Sequence, residues 1–237
     1  MEPSLKVASR VRLVVLDVDD TLYPEYSYVE SGYAAVAAFL SGKCGASMEA
    51  LYQQLVTHYR SRGRKGAFDA VLEQHGLATP IFLAAALHVY RTHVPGISLF
   101  PDVMPFIERL DETGIKSAIL TDGKSCVQHA KIDALDLASK VNFVLCTDDL
   151  NDGCGKPSPI PFQIVLERLE VAPNEAVYIA DDERKDFAGP NELGMHSIKL
   201  DRKLPYPLAA NVAYPSTHRA GSTVYNLDEA WRILEKL

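Results

Sequence analysis

Residues 12–22 read Arg-Leu-Val-Val-Leu-Asp-Val-Asp-Asp-Thr-Leu, an apolar run that ends in a group of aspartates. The run is typical of a buried strand, and it would bring Asp17 and Asp19 to the edge where open α/β sheets place their chemistry. One of these residues can bind a divalent cation through its side chain and the other through its backbone carbonyl. The side chain of the residue that binds through its carbonyl then stays free for proton transfer. We therefore expect Asp17 to be a nucleophile and Asp19 an acid/base, beside a neutralising cation.

A second candidate segment follows another apolar run. A strand is predicted at 115–120, and it ends in Thr121, Asp122 and Gly123 before a predicted helix. The Thr121 hydroxyl and the successive backbone N–H groups would converge at a helix N-terminus, which is a favourable place for a phosphate group.

Two more segments carry polar groups at predicted strand ends or helix starts. Lys156 lies in a turn before a helix predicted at 161–169, where its ammonium can pair with Asp17 and with a phosphoryl oxygen. Farther on, the apolar run 176–180 continues into the acidic segment 181–186. Carboxylate oxygens at a strand end are hard ligands, and magnesium is the cation that they suit best.

These four segments resemble the motifs of the haloacid dehalogenase superfamily of phosphotransferases and phosphatases. The matching residues are Asp17-Val18-Asp19-Asp20-Thr21, Thr121, Lys156 and Asp181 to Asp186. The resemblance extends over nearly the whole chain. It implies a metal site of Asp17, Asp19 and Asp181, with Asp186 in support. Asp182 is then either a further ligand or a residue that supports one.

The chain departs from the superfamily's usual pattern at two positions. Ala180 stands where many relatives have glycine, and Asp122 stands where many have asparagine. The backbone before Asp181 is therefore slightly less free and the site is more acidic, but neither change removes an essential group.

The alternation of strands and helices stops between residue 22 and about residue 101. Apolar residues recur there at helical spacing in four segments, 32–40, 48–61, 66–75 and 80–91. Farther on, strands and helices alternate again, which predicts one parallel sheet. We therefore predict a doubly wound, Rossmann-like α/β core of residues 1–22 and 98–237. The inserted helical domain, 23–97, lies where the superfamily places its cap of the first type.

The inserted helices are expected to supply specificity, because the core motifs recognise only phosphate and metal. The best candidates for contact with an anionic substrate are Arg62, Arg64 and Arg91, and Tyr23 and Tyr26 are aromatic alternatives. A short charged stretch between helices is also commonly a solvated turn, and the tyrosines can simply pack the cap.

Composition limits the classes of partner. The formal net charge is −7 at pH 7 and no long basic block occurs, which argues against nucleic acid and anionic lipid. The first apolar run is only as long as a strand, so neither export nor a membrane span is expected, and a cytoplasmic location is the default. Four cysteines without a Cys-x-x-Cys pair make zinc an improbable cofactor. A homodimer is possible.

The resemblance and the residues together predict a magnesium-dependent phosphomonoester hydrolase that acts through an aspartyl-phosphate. Its substrate would be a small phosphorylated metabolite, such as a sugar phosphate or a nucleotide. A phosphomutase with the same core and a non-catalytic binding protein on the same fold are the alternatives. A dehalogenase is disfavoured, since carbon–halogen displacement needs neither the Asp19 acid/base nor a metal cluster.

Overall fold

The protein contains a six-stranded sheet, and Asp17, Thr121 and Asp181 lie at the carboxyl ends of its strands. The structure is a computed structural model and describes residues 11–150, 153–204 and 214–237. The strands are β1 Leu13–Leu16, β2 Lys116–Thr121, β3 Phe143–Cys146, β4 Ala176–Ala180, β5 His196–Leu200 and β6 Ser222–Val224. They run parallel in the order β3-β2-β1-β4-β5-β6. The chain moves outward from β1 in one direction through β3 and in the other from β4, so the sheet is doubly wound and its switch point lies between β1 and β4.

Helices accompany the sheet and fill the long connection after β1. The helices are α1 Glu25–Cys44, α2 Met48–Arg62, α3 Ala67–Gln74, α4 Pro80–Thr92, α5 Val103–Glu112, α6 Ser125–Ala134, α7 Ile160–Leu169, α8 Ala188–Leu193 and α9 Leu227–Leu234. Short 3₁₀ turns occur at Thr147–Asp149, Pro173–Glu175 and Ser216–His218. In the described part of the chain, no helix is both long enough and apolar enough to span a bilayer.

Strand β1 is apolar throughout because the sheet is covered on both faces. Val14 and Leu16 belong to a core with residues of α5, α6 and α9, whereas Leu13 and Val15 belong to a second core with residues of α7. All four side chains are completely buried. A continuous apolar run is what a central parallel strand requires, and the predicted α/β fold class is confirmed.

Helices α1 to α4 share a third apolar cluster, which includes Val36, Leu55, Phe68 and Val71. They occupy the segment predicted to be an inserted cap, and the limits of that domain stay a prediction. The first cap helix begins at Glu25, earlier than predicted. The Asp20 carboxylate accepts a hydrogen bond from the backbone N–H of Glu25 at 2.7 Å. Asp20 therefore satisfies one of the N–H groups at the start of α1 that have no partner within the helix.

Candidate active site

Lys156 lies between two buried carboxylates at the carboxyl edge of the sheet. Its ammonium Nζ is 2.6 Å from Oδ1 of Asp17 and 2.7 Å from Oδ1 of Asp186. None of the three side chains is more than 1% exposed. A charge this deeply buried is tolerated only with partners, so the three groups form one electrostatic unit. The predicted pairing of Lys156 with Asp17 is present in the structure.

Tyr178 on β4 completes this network and was missed by the sequence analysis. Its hydroxyl accepts a hydrogen bond from Lys156 Nζ at 2.9 Å and donates one to Asp186 Oδ1 at 3.0 Å. The other oxygen of Asp186 accepts a bond from the backbone N–H of Asp182 at 3.1 Å. Asp186 is therefore held by three donors. A tyrosine inside an otherwise apolar strand was the only signal in the sequence for this role.

The carboxylates of Asp17, Asp181 and Asp186 are suited to a divalent cation. Oxygen atoms of all three lie within 4.8 Å of one another. Within the described residues, Asp17 Oδ2 is buried and has no hydrogen-bond partner. Burial, together with the negative charges of Asp17 and Asp186, raises the pKa of Asp181 well above its ordinary value. Burial also raises the pKa of Asp17 to about 6, against the opposing effect of Lys156. A bound cation would favour the ionised form of both carboxyl groups and so oppose the effect of burial and of their mutual repulsion.

Asp182 has a different environment from Asp181. Its carboxylate accepts hydrogen bonds from the guanidinium of Arg184, from Nε at 2.8 Å and from Nη2 at 2.6 Å. Burial disfavours its charge, but the bonds from Arg184 outweigh that effect and lower the pKa of Asp182. Because both of its oxygens are already engaged by Arg184, the arrangement favours Asp181 over Asp182 as a metal ligand.

The Asp19 side chain points away from the carboxylate cluster and towards α6. Lys131 Nζ lies 2.7 Å and 2.9 Å from its two oxygens. Gln128 Nε2 donates to Oδ2 at 3.1 Å, and the Tyr23 hydroxyl donates to Oδ1 at 2.5 Å. Burial opposes ionisation of Asp19, but the charge and hydrogen bonds of Lys131 outweigh it and lower the pKa to about 2. The roles of Gln128 and Lys131 were not predicted from the sequence, although two polar residues one turn apart on a predicted helix were a signal.

The segment Thr121-Asp122-Gly123 begins at the last residue of β2, and the side chains of Thr121 and Asp122 already have partners. The buried hydroxyl of Thr121 accepts a hydrogen bond from Gln128. Oδ1 of Asp122 accepts bonds from the Thr147 hydroxyl at 2.5 Å and from the backbone N–H of Lys156 at 3.3 Å. The Asp122 carboxylate thus joins the turn before α6 to the turn that carries Lys156.

A cavity of about 1020 Å³ opens beside these groups, between the core and the cap helices. Asp19, Asp181, Gly123 and Lys131 line it from the core. From the cap side it is lined by Glu25, Arg64, Tyr90 and Arg91.

The three candidate arginines of the cap do not lie together. Arg64 lines the large cavity and its Nη1 lies 2.7 Å from Oε1 of Glu25, while Arg91 is an exposed residue of the same cavity. Arg62 instead lines a separate cavity of about 390 Å³ formed by residues of α2 and α3. The structure therefore brings Arg64 and Arg91 to the candidate site but leaves Arg62 apart from it.

The motifs at the strand ends correspond to a known family. Residues 11–194 match the family model of the haloacid dehalogenase-like hydrolases. The chain belongs to this family. Membership of the superfamily, which the motif order predicted, is thereby confirmed.

Several relatives within this family are phosphatases. A glyceraldehyde 3-phosphate phosphatase of Methanopyrus kandleri is 32% identical over 200 residues, which cover 81% of this chain and 84% of that protein. A ribulose-1,5-bisphosphate 5-phosphatase of Halopiger xanaduensis is 30% identical over 79% of this chain and 84% of its own length. The crystal structure of a HAD phosphatase from Thermococcus onnurineus superposes with a TM-score of 0.61 at 26% identity, and covers 94% of this chain and 98% of that one. The chain is accordingly a hydrolase of the phosphatase class, as predicted.

Proposed function

We propose that this phosphatase is a magnesium-dependent phosphomonoester hydrolase that forms an aspartyl-phosphate on Asp17. The observation that carries the proposal is the environment of the Asp17 carboxylate. Its Oδ1 is held by Lys156, while its buried Oδ2 has no hydrogen-bond partner within the described part of the chain. A carboxylate that is fixed through one oxygen and makes no hydrogen bond through the other keeps lone pairs for attack on phosphorus.

In the first step, an oxygen of Asp17 attacks phosphorus and the bond from phosphorus to the ester oxygen breaks. The departing oxygen takes a proton from Asp19. Asp19 is ionised in the free site, but the negative charge of a bound phosphate ester disfavours a second negative charge beside it. The bound ester therefore shifts Asp19 towards its protonated form, against the effect of the ion pair with Lys131.

In the second step, Asp19 accepts a proton from a water molecule while the water oxygen attacks the phosphorus of the aspartyl-phosphate. The bond between phosphorus and Asp17 breaks, inorganic phosphate leaves, and the Asp17 carboxylate is restored. Thr121, Lys156 and the backbone N–H groups around Gly123 would hold the phosphoryl oxygens, and such fixed donors commonly supply a large part of the rate enhancement.

Asp17, Asp181 and the backbone carbonyl of Asp19 would hold magnesium. Asp186 is assigned a supporting role because Lys156, Tyr178 and the Asp182 backbone already occupy its oxygens. When bound, the ion reduces the repulsion between the carboxylates and the phosphate group.

The substrate is proposed to be a small phosphorylated metabolite. The two relatives named above are phosphatases of sugar phosphates, which supports a substrate of that size and class. Arg64 and Arg91 line the large cavity, which supports the proposal that they contact a second anionic or polar group of such a substrate. A cytoplasmic location and a homodimer stay predictions.

A phosphate-release screen over a panel of phosphomonoesters with magnesium would test the proposal. We expect release from at least one sugar phosphate, and loss of that release in Asp17→Asn. Hydroxylamine added during turnover should convert the phosphorylated side chain of Asp17 into a hydroxamate that mass spectrometry detects. A phosphomutase would isomerise a sugar phosphate without releasing phosphate, and a binding protein would do neither, so either result would refute the proposal.

A further inference from the structure

Lys131 is a buried cation that has no role in the two chemical steps proposed above. Its side chain is 4% exposed and lies on α6, three residues after Gln128, which is buried on the same helix. Burial of an ammonium group costs several kcal/mol, and it is tolerated only where an anion such as the Asp19 carboxylate compensates the charge. The lysine therefore requires an explanation beyond packing.

Within the described part of the chain, both side-chain hydrogen bonds of Lys131 go to the proposed acid/base. Its ammonium spans both oxygens of Asp19, at 2.7 Å and 2.9 Å, and the Asp19 side chain is 16% exposed. The carboxylate of Asp19 is consequently directed towards α6 and lies outside the group formed by Asp17, Asp181 and Asp186. Tyr23 and Gln128 each donate to one oxygen of the same carboxylate, whereas Lys131 contacts both.

The cap holds Lys131 from the other side. Its Nζ lies 4.7 Å from the centroid of the Tyr28 ring, which belongs to α1. The hydroxyl of Tyr28 donates to the backbone carbonyl of Tyr90 on α4 at 3.3 Å, and the Tyr28 ring packs against His93 at a centroid distance of 4.9 Å. An ammonium over an aromatic face is attracted to it, so the position of Lys131 depends on both the core and the cap.

We propose that Lys131 is a positioning residue, which directs the Asp19 carboxylate to the place from which Asp19 transfers its proton to the departing oxygen. Tyr28 of the cap in turn fixes Lys131. The inference rests on the proposed function, because it assigns to Lys131 an effect that acts through the proton transfer by Asp19. It predicts that the need for Lys131 follows the need of the leaving group for a proton.

Two substrates separate this role from a structural one. The first is the alkyl phosphate that the wild type hydrolyses best in the phosphate-release screen, and its alkoxide leaving group must be protonated. The second is 4-nitrophenyl phosphate, whose phenolate leaves without a proton. For Lys131→Met we expect kcat/KM to fall by about 10- to 100-fold on the alkyl ester, since general acid catalysis contributes typically 10²–10⁴-fold. On 4-nitrophenyl phosphate kcat/KM should change by less than about twofold.

Three further variants sharpen the test. Lys131→Arg keeps the charge and should recover part of the loss on the alkyl ester. Lys116→Met is a matched control, since Lys116 is a partly buried lysine whose Nζ donates to the Leu169 carbonyl at 2.7 Å, and it should affect neither ester selectively. In an Asp19→Ala background, Lys131→Met should produce no additional loss on the alkyl ester.

Several outcomes would overturn the inference. An equal loss on both esters would assign Lys131 to the fold or to the phosphate site, and an undiminished loss in the Asp19→Ala background would make it a direct substrate contact. Full activity of Lys131→Met on both esters would leave it no role in turnover. If Lys131→Met does not fold, the comparison of the two esters is made with Lys131→Gln and Lys131→Arg. A wild-type enzyme that releases no phosphate refutes the proposed function itself, whereas an active wild type without the leaving-group effect refutes only the role of Lys131.

Discussion

The ammonium of Lys156 lies 2.6 Å from the carboxylate of Asp17, and the two side chains are 0% and 1% exposed. The same ammonium also serves Asp186 at 2.7 Å. One cation therefore stands between two buried anions. Loss of the charge on Asp17 leaves a neutral pair of Lys156 and Asp186, so the nucleophile can be removed without an unpaired buried charge.

Asp17→Asn should therefore abolish catalysis in a folded protein. The amide keeps the size of the side chain but cannot attack phosphorus, so we expect kcat to fall by at least about 10³-fold. Initial rates of phosphate release, with thermal unfolding as the check on folding, measure this. A variant that retains a tenth of the wild-type activity would contradict the covalent mechanism.

Removal of divalent cations should stop turnover. We expect a chelator to abolish phosphate release and added magnesium to restore it, because Asp17 and Asp181 offer hard oxygen ligands. Calcium should bind without supporting catalysis, since its larger and looser coordination shell misplaces the reacting groups. Phosphate release is measured at fixed free metal concentrations. Full activity in chelator would mean that the acidic cluster has another purpose.

The stability of the metal-free protein should fall with rising pH because of the same cluster. The pKa of Asp17 is raised to about 6 and that of Asp181 is raised well above its ordinary value, both first by burial. A carboxyl group with a raised pKa binds more protons in the folded than in the unfolded chain, so its contribution to stability decreases as pH rises above about 4.

Asp181→Asn isolates this effect, because it removes one of the uncompensated charges. Without metal, the variant should be more stable than the wild type at pH 7.5, by at least about 2–4 °C in Tm if the difference exceeds about 1 kcal/mol. At pH 4.5 the difference should shrink. With magnesium at pH 7.5 the order should reverse, since only the wild type keeps the full ligand set. A difference in Tm that is independent of both pH and magnesium would refute this account of Asp181.

The cap arginines should differ in their effect on substrate selectivity. Arg64 and Arg91 line the large cavity whereas Arg62 lines a different one. If either of the first two contacts the leaving group, its replacement by alanine should lower kcat/KM on the best substrate of the panel by about 10²-fold, the value of a lost charged contact of about 2–3 kcal/mol. Activity on 4-nitrophenyl phosphate should barely change.

Arg62→Ala is the matched control for that experiment and should leave both activities unchanged. Equal losses on the two esters would show that the arginine supports the fold or the core site. If neither Arg64→Ala nor Arg91→Ala affects either ester, both residues are solvated surface groups.

Two glycines of α1 should respond to alanine in opposite directions. A Cβ on Gly32 would lie 2.5 Å from the Tyr90 ring, whereas a Cβ on Gly42 would have no neighbour within 4 Å. Alanine at Gly32 should therefore destabilise the protein by about 1–3 kcal/mol through overpacking. At Gly42 it should stabilise the helix by about 0.5–1 kcal/mol. Denaturant unfolding measures both, and destabilisation by Gly42→Ala would contradict the open environment of that residue.

The local pattern of the sequence was sufficient to predict the sheet and to place Asp17, Lys156 and Asp186 near its carboxyl edge. The buried strand before Asp17, the strand before Thr121 and the turn at Lys156 are each recognisable from neighbouring residues, because apolar periodicity and turn chemistry act over short stretches. The carboxyl ends of parallel strands must then meet at one edge, which brings Asp17, Lys156 and Asp186 together. Fold class and family followed from the same residues.

Only the tertiary structure decided the partners of the individual side chains. Lys131 contacts Asp19 although the two are 112 positions apart, and this contact depends on how α6 packs between the sheet and the cap. Tyr178 joins Lys156 and Asp186 because its side chain projects from the face of β4 that meets them. Likewise, Arg62 and Arg64 are two residues apart but line different cavities, because α2 ends at Arg62 and the chain leaves the helix at Gly63. Sequence specifies which chemical groups are present and at which strand ends, whereas their orientation is a property of packing between distant segments.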